Sequence, residues 1–378
     1  MMLARSSHRP LQRLAVRASS SATTTKGTSN TTSSIGIERS KAEIEALVQK
    51  RVQERDAWAV DGVTAGQPSL SAALNFMWKL QNFAVPSQTE LDQELPVLHM
   101  DWTRLQNPEN DKIQITWLGH ASLLVQMNGC NLLCDPVFSQ RCSPSQWFGP
   151  QRYRPLPCSI QELLDKVDID LVLISHNHYD HLDCGSVQDF CKLSSSTPFV
   201  VPLGLKDWFQ RHVSQTMTLY EQDWNESIDF VGPAGNKLTI TSVPMRHWSN
   251  RTGDRDKTLW CGYSVASQQK KFLFTGDTAW FDDLEQVGAK YGPFDVAAIP
   301  IGAYEPRDFM KYNHINVEEA VRMKDAVQAA SAVPIHWGTF PLTIEPVLEP
   351  REKLIELMKH RPDADSFCPW SIGETKQF

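Results

Sequence analysis

From Asp111 onward the chain reads as a mixed α/β domain, and three features of the sequence point that way. Short apolar runs rich in Val, Ile and Leu are bounded by turn residues, as buried strands are. Helical stretches fall between several of these runs, the arrangement required when strands lie parallel and the chain must cross back between them. Several runs also end at a His or Asp side chain, so one edge of the sheet structure would carry polar chemistry. With 378 residues, 41% hydrophobic and 21% charged, the chain is long enough for a sizeable core, and disorder throughout is excluded.

The first 37 residues differ from the rest. Their charged side chains are Arg5, Arg9, Arg13, Arg17 and Lys26, with no acid before Glu38, and Ser and Thr are abundant. That composition fits an organelle transit peptide or a disordered tail, and the lack of a long apolar core argues against a secretory signal. A mitochondrial, membrane-associated location is therefore expected, with the cytoplasmic face of an endomembrane as the alternative. Without those five charges, 32 basic side chains face 44 acidic ones, so the overall net charge of −7 becomes −12 for the body. An acidic body argues against a general nucleic-acid binder.

Residues 38–110 form an N-terminal segment expected to pack on the core, on a membrane or on a dimer partner. Residues 38–57 read as a charged helix with Ile44, Leu47, Val48 and Val52 along one side. The stretch from Leu70 to Val85 is apolar and aromatic, which suits a core helix, a dimer contact or a membrane-surface segment. Nothing is apolar for the roughly 18 residues that a membrane-spanning helix needs.

The domain from 111 to 378 begins with IQITWLGHASLLVQM, a turn at Asn128-Gly129 and NLLCDP, a pattern that predicts a hairpin ending at Asp135. Strands are expected at 169–175, 199–202, 237–245, 259–265, 271–277, 295–301 and 332–337, and helices at 317–330 and 352–359. Eight cysteines without CxxC spacing are dilute for a disulfide scaffold, so most are expected reduced and packed.

The strongest chemical signal is His176-Asn177-His178-Tyr179-Asp180-His181, directly after the apolar run IDLVLIS. Imidazole and carboxylate groups on the loop where a strand ends can converge on one cleft, and they suit zinc, iron or manganese. Such a cluster is costly to bury without a metal or pairing. His247 after TSVPMR, Asp277 after FLFTG and His336 after AVPI repeat the pattern. His120 in WLGHAS reads as a packed structural residue.

This ordered set, HxHxDH followed by H, D and H, resembles the metallo-β-lactamase superfamily, which implies a four-layer αββα sandwich with a dinuclear metal site along one edge. The resemblance implies that His176, His178 and His247 hold one metal, that Asp180, His181 and His336 hold the other, and that Asp277 bridges both. Two Zn²⁺ per subunit are expected, iron or manganese being compatible. Metal coordination brings the pKa of bound water to roughly 7, so a hydrolase is implied.

ELPVL, TWLGHAS, SPSQWFGPQRYR, LISHNHYDHLD, VPLGL, GPFDVAAIPIGAYEPR and IHWGTF are similar to blocks of the N-acylphosphatidylethanolamine-hydrolysing phospholipase D family. The similarity implies a zinc-dependent release of N-acylethanolamine and phosphatidic acid from a membrane phospholipid, by direct attack of water, in a homodimer touching the membrane peripherally. It also implies that Asp135 orients a metal-binding histidine. His314 would protonate the leaving oxygen or stabilise charge, and Tyr179 and Asn313 would face the substrate, although better-known members carry glutamine at the latter position. Trp147, Phe148, Arg141, Arg152 and Arg154 are candidate membrane contacts. The alternatives are a hydrolase of the same fold acting on another phosphodiester, a thioester or a lactone, and a catalytically silent lipid-binding protein, which the complete donor set disfavours.

Overall fold

A computed structural model describes residues 38–58, 85–213 and 217–378. The Arg-rich leader and all of the Leu70 to Val85 stretch except Val85 itself lie outside the described residues.

Among the described residues the strands form two mixed sheets. The first comprises β1 (Ile113–Gly119), β2 (Ser122–Met127), β3 (Cys130–Cys134), β4 (Leu171–Leu173), β5 (Phe199–Pro202) and β6 (Leu219–Gln222). The second comprises β7 (Ser227–Val231), β8 (Lys237–Val243), β9 (Gly262–Ala266), β10 (Lys271–Phe274), β11 (Phe294–Pro300) and β12 (Ala329–Ile335). The C-terminal strand β13 (Thr375–Gln377) closes the first sheet beside β1. The spatial orders are β13-β1-β2-β3-β4-β5-β6 and β12-β11-β10-β9-β8-β7.

Side-chain alternation explains the layering. In the first sheet Leu123, Val125, Leu132, Leu171, Leu173 and Val200 join the core shared with the second sheet. Their neighbours Leu124, Leu133, Val172, Phe199 and Val201 face a separate core with the helices Ile160–Lys166, Cys184–Leu193 and Lys206–His212. Because adjacent strand residues point to opposite faces, the central strands β3, β4 and β5 are apolar on both sides. The helices Leu284–Tyr291, Val317–Ala326 and Glu349–Met358 cover the outer face of the second sheet. The result is an αββα sandwich.

The sequence read residues 113–134 as one hairpin, whereas the structure folds them into a three-stranded meander. The extra reversal falls at Gly119 and His120, whose φ angles of 105° and 53° turn the chain between β1 and β2. Asn128 and Gly129, with φ of 52° and 69°, make the tight turn into β3.

The helix Lys41–Ala57 starts with a capping box in which the Glu43 amide donates to Ser40 Oγ and the Ser40 amide donates to Glu43. Val48 is buried in the core shared by the two sheets, and Ile44, Leu47 and Val52 pack against that core. Arg51 grips both carboxylate oxygens of Asp223 at 2.8 and 2.7 Å, and Trp58 stacks between Trp224 and Phe281. All eight cysteines are free, and six are buried. No helix of the described residues is long and apolar enough to cross a membrane.

Two proposed surface contacts are corrected. Arg152 and Arg154 are each only 8% exposed. Arg152 stacks on Phe340 and donates to the carbonyls of Val137 and Ser139, and Arg154 pairs with Asp92. A guanidinium is readily buried when carbonyls and carboxylates meet its planar fork, and sequence alone does not reveal those partners.

Candidate metal centre

The strands β1, β3, β4, β8, β10, β11 and β12 all run the same way along the sandwich, so their C-terminal ends share one edge. Every donor named from the sequence follows one of these ends. Open α/β sheets place ligands at such edges because the loops there are free of the ladder.

Asp277 is the hub. Its Oδ2 lies 3.1 Å from Nε2 of both His181 and His336, and 3.7 and 3.6 Å from Nε2 of His176 and His247. His176, His178, His247 and Asp277 form one group of convergent donor atoms; His120, Asp180, His181 and His336 form a second. His314 joins Asp277 and His336 in a third, overlapping group. Gly276 permits this approach, since a Cβ there would come within 2.6 Å of Ser175 Cβ. Gly302 likewise runs against the His336 carbonyl, only 2.2 Å from where a Cβ would sit.

Hydrogen bonds orient the rings. Asp135, following β3, accepts from the Ser175 amide at 2.7 Å, from Ser175 Oγ at 2.5 Å and from His181 Nδ1 at 2.7 Å. Ser175 Oγ also stands 2.9 Å from His176 Nδ1. His247 donates Nδ1–H to the Asn313 carbonyl at 2.9 Å. In each case the outward-facing nitrogen is engaged and the ring presents its other nitrogen inward. Asn313 therefore takes part through its backbone. Tyr179 is half-buried with the Arg251 guanidinium 4.1 Å from its ring centre. A cavity of about 1320 Å³ reaches Tyr179 and Arg251 but none of the clustered donors.

Electrostatics follow from burial among like groups. Burial, then the neighbouring rings of His181, His178 and His247, hold His176 well below the ordinary imidazole range. Burial also brings His178 down to about 4 and keeps His247 well below its usual value. These three rings are neutral at neutral pH, with a lone pair available. Burial opposes ionisation of Asp180 and Asp277, but His181 and the rings around it outweigh burial and hold both carboxyls far below the usual range. The same carboxylates overcome burial at His336 and push it up to about 9.

The donor set fits a metal. His178 Nε2, His181 Nε2, His336 Nδ1 and Nε2, His314 Nδ1 and Asp277 Oδ1 are buried without a hydrogen-bond partner, which native interiors rarely tolerate. Two carboxylates among seven imidazoles create a demand for positive charge that divalent cations meet. These His and Asp clusters are candidate metal-binding sites.

Sequence reasoning missed two participants. Ser175 directly precedes the HNHYDH motif, and only its place between Asp135 and His176 reveals what it does. His120 was expected to be packed and structural; it is buried, but its Nε2 lies 2.9 Å from Asp180 Oδ2. The signal was available, because His120 follows a strand end as the other donors do.

Comparison with known proteins agrees with this geometry. Residues 130–337 match the family model described as the beta-lactamase superfamily domain. The chain is 43% identical over 267 residues to N-acyl-phosphatidylethanolamine-hydrolyzing phospholipase D 1 of Caenorhabditis elegans, covering 68% of this chain and 74% of that protein. It is 32% identical over 291 residues to the mitochondrial N-acyl-phosphatidylethanolamine-hydrolyzing phospholipase D of Saccharomyces cerevisiae, covering 75% of this chain and 60% of that one. Among solved structures, a possible metal-dependent hydrolase from Veillonella parvula has a TM-score of 0.56 at 18% identity, over 71% of this chain and 100% of its own. An isothiocyanate hydrolase from Delia radicum gut bacteria has a TM-score of 0.54 at 21% identity, over 70% and 99%. These two structures share the fold. By fold, donor clusters and relatives, the chain is a metal-dependent hydrolase of the beta-lactamase superfamily and belongs, within it, to the N-acyl-phosphatidylethanolamine-hydrolyzing phospholipase D family.

Proposed function

We propose that this chain hydrolyses N-acylphosphatidylethanolamine to N-acylethanolamine and phosphatidic acid. The observation that carries the reading is the position of Asp277 Oδ2, within 3.1 to 3.7 Å of histidines from both donor groups. His176, His178 and His247 would hold one divalent ion and Asp180, His181 and His336 the other, zinc being the first candidate, with Asp277 shared. Bound in this way, two metals supply an activated water and stabilise the charge of an in-line phosphoryl displacement.

The chain's own residues supply orientation and charge control. Asp135 and Ser175 fix the rings of His181 and His176, and the Asn313 carbonyl fixes His247. His314 sits above both groups, its ring centre 5.2 Å from that of His247 and 5.1 Å from that of His336. Burial lowers its pKa to about 3, and nearby cations would lower it further. That favours a neutral imidazole donating an N–H to a phosphoryl oxygen over delivery of a proton from imidazolium. Tyr179, next to His178 and Asp180 in the chain, would meet the substrate.

A phospholipid substrate requires a membrane surface. Trp147 and Phe148, 92% and 64% exposed, are the proposed peripheral contact. A mitochondrial location is supported by the acid-free leader and by the name of the yeast relative. A homodimer, with the segment around residues 70–85 contributing, remains part of the proposal.

Metal analysis combined with mass spectrometry of products tests the reaction. Vesicles containing N-acylphosphatidylethanolamine in ¹⁸O water should give one labelled oxygen in phosphatidic acid within a single turnover. Efficient head-group exchange with an added alcohol counts against direct water attack. Turnover of a thioester, a lactone or a different phosphodiester alone would replace this substrate with that one.

A further inference from the structure

We propose that His120 is a positioning residue for the second donor group, holding the Asp180 carboxylate through its ring and His336 through its backbone. The inference rests on the reading that Asp180, His181 and His336 hold a metal.

Three observations separate His120 from a packed core residue. Its Nε2 donates to Asp180 Oδ2 at 2.9 Å, so an ionised carboxylate fixes the tautomer. Its carbonyl accepts from the His336 amide at 3.0 Å and from Trp117 Nε1 at 2.8 Å, and its own amide donates to Thr339 Oγ1 at 2.7 Å. Its backbone is held in the left-handed region at φ 53°, as is that of His336 at φ 64°. Such conformations persist in non-glycine residues where the surroundings over-determine them. Both residues are locked in one hydrogen-bonded corner.

Geometry also separates His120 from a direct ligand. His181 and His336 each reach Asp180, at 3.5 and 3.3 Å, and Asp277, at 3.1 Å in both cases. The ion pair of His120 is with Asp180 at 2.9 Å, and among the described residues it has none with Asp277. Its ring packs on those of His336, His181 and Phe340, with centroids 4.1, 5.3 and 5.3 Å away. It therefore engages the second donor group through Asp180 rather than through the shared carboxylate. Groups that hydrogen-bond a metal's ligands commonly alter affinity by 10- to 100-fold on removal.

The test is a zinc titration with a competing chelator, followed by cobalt(II) spectra, on the full-length wild type, His120→Ala, His120→Gln, Asp180→Asn and the double variant His120→Ala/Asp180→Asn. The wild type should bind two equivalents. His120→Ala should keep one at wild-type affinity and weaken the other roughly 10- to 100-fold, with an altered cobalt spectrum. His120→Gln, whose amide N–H can still donate, should recover most of the loss. Adding His120→Ala to Asp180→Asn should weaken binding no further. Wild-type binding of the second equivalent by His120→Ala overturns the proposal. So does additive loss in the double variant, which marks a direct ligand, or equal loss of both equivalents with a lowered metal-free melting temperature, which marks a structural residue. Fewer than two equivalents in the wild type would instead overturn the metal assignment beneath it.

Discussion

Asp135 Oδ2 accepts from His181 Nδ1 at 2.7 Å and from a Ser175 hydroxyl that stands 2.9 Å from His176 Nδ1. One carboxylate thus sets the tautomers of two rings in different donor groups. Burial pushes the Asp135 carboxyl upward, while His181 and the two Ser175 donors pull it down, and a cation held by His181 would add to that pull.

Asp135→Asn tests this relay. An amide turned toward His181 presents N–H to Nδ1 and drives the proton to Nε2, the nitrogen aimed at Asp277. Zinc affinity is expected to fall about 10- to 100-fold with the fold retained, as judged by chelator competition and circular dichroism. Unchanged affinity would show that the tautomers are set elsewhere.

Asp277→Asn removes the charge at the point where the two groups meet. Both metal equivalents should weaken, and turnover of vesicle substrate should drop below about one-thousandth, because a carboxylate shared between donor groups has no local substitute. Full activity in the variant refutes the shared role.

The donors were legible because each follows an apolar run, and strand ends gather along one edge of a sandwich. His120 obeyed that rule but precedes, and lies outside, the HxHxDH, H, D, H order by which the other donors were recognised. Ser175 was invisible for a different reason: a serine becomes a relay only when a loop from β3 brings Asp135 to it. The strands β6 and β7 and the helices Lys206–His212 and Cys184–Leu193 escaped reading because they are short, four to ten residues, and leave few periods to recognise. Their helix or strand state is imposed by packing on a neighbour rather than by local preference.

Asp170 gives the fold a pH signature away from the metal site. Burial pushes its carboxyl up to about 6, against the Asn131 amide that donates to it at 2.8 Å. A carboxyl raised above its unfolded value near 3.9 favours the folded state at low pH, and that contribution is lost as pH rises through about 6. Asp170→Asn should therefore raise the melting temperature at pH 7 to 8, with the gain shrinking toward pH 4. A gain independent of pH would contradict the burial account.

The Trp147 and Phe148 rings stand on a braced loop. Arg141 donates to the Gly149 carbonyl and to Gln151, and Gln146 donates back to the Arg141 carbonyl at 2.9 Å. A rigid turn bearing exposed aromatic rings loses little entropy on entering a bilayer interface. Trp147→Ala with Phe148→Ala should cut liposome flotation at least about ten-fold while leaving hydrolysis of a dispersed short-chain substrate intact. Unchanged flotation assigns membrane contact to another surface.

Arg55 links the N-terminal helix to the metal site. It lies outside the matched superfamily domain, yet its Nη1 donates to the His247 carbonyl at 3.3 Å and to Asp256 at 3.0 Å. Its guanidinium carbon lies 4.9 Å from the ring centre of Trp260. Arg255 also meets Asp256, at 3.7 Å, so losing Arg55 removes charged hydrogen bonds without stranding the carboxylate, and Arg55→Ala should cost about 1.5 to 3 kcal/mol in denaturant unfolding. Because the same guanidinium steadies the backbone that carries His247, zinc should also bind several-fold less tightly to the group formed by His176, His178 and His247. Lost stability with unchanged zinc affinity would reduce the helix to a structural strap, whereas loss of both makes residues 41–57 part of what holds the metal.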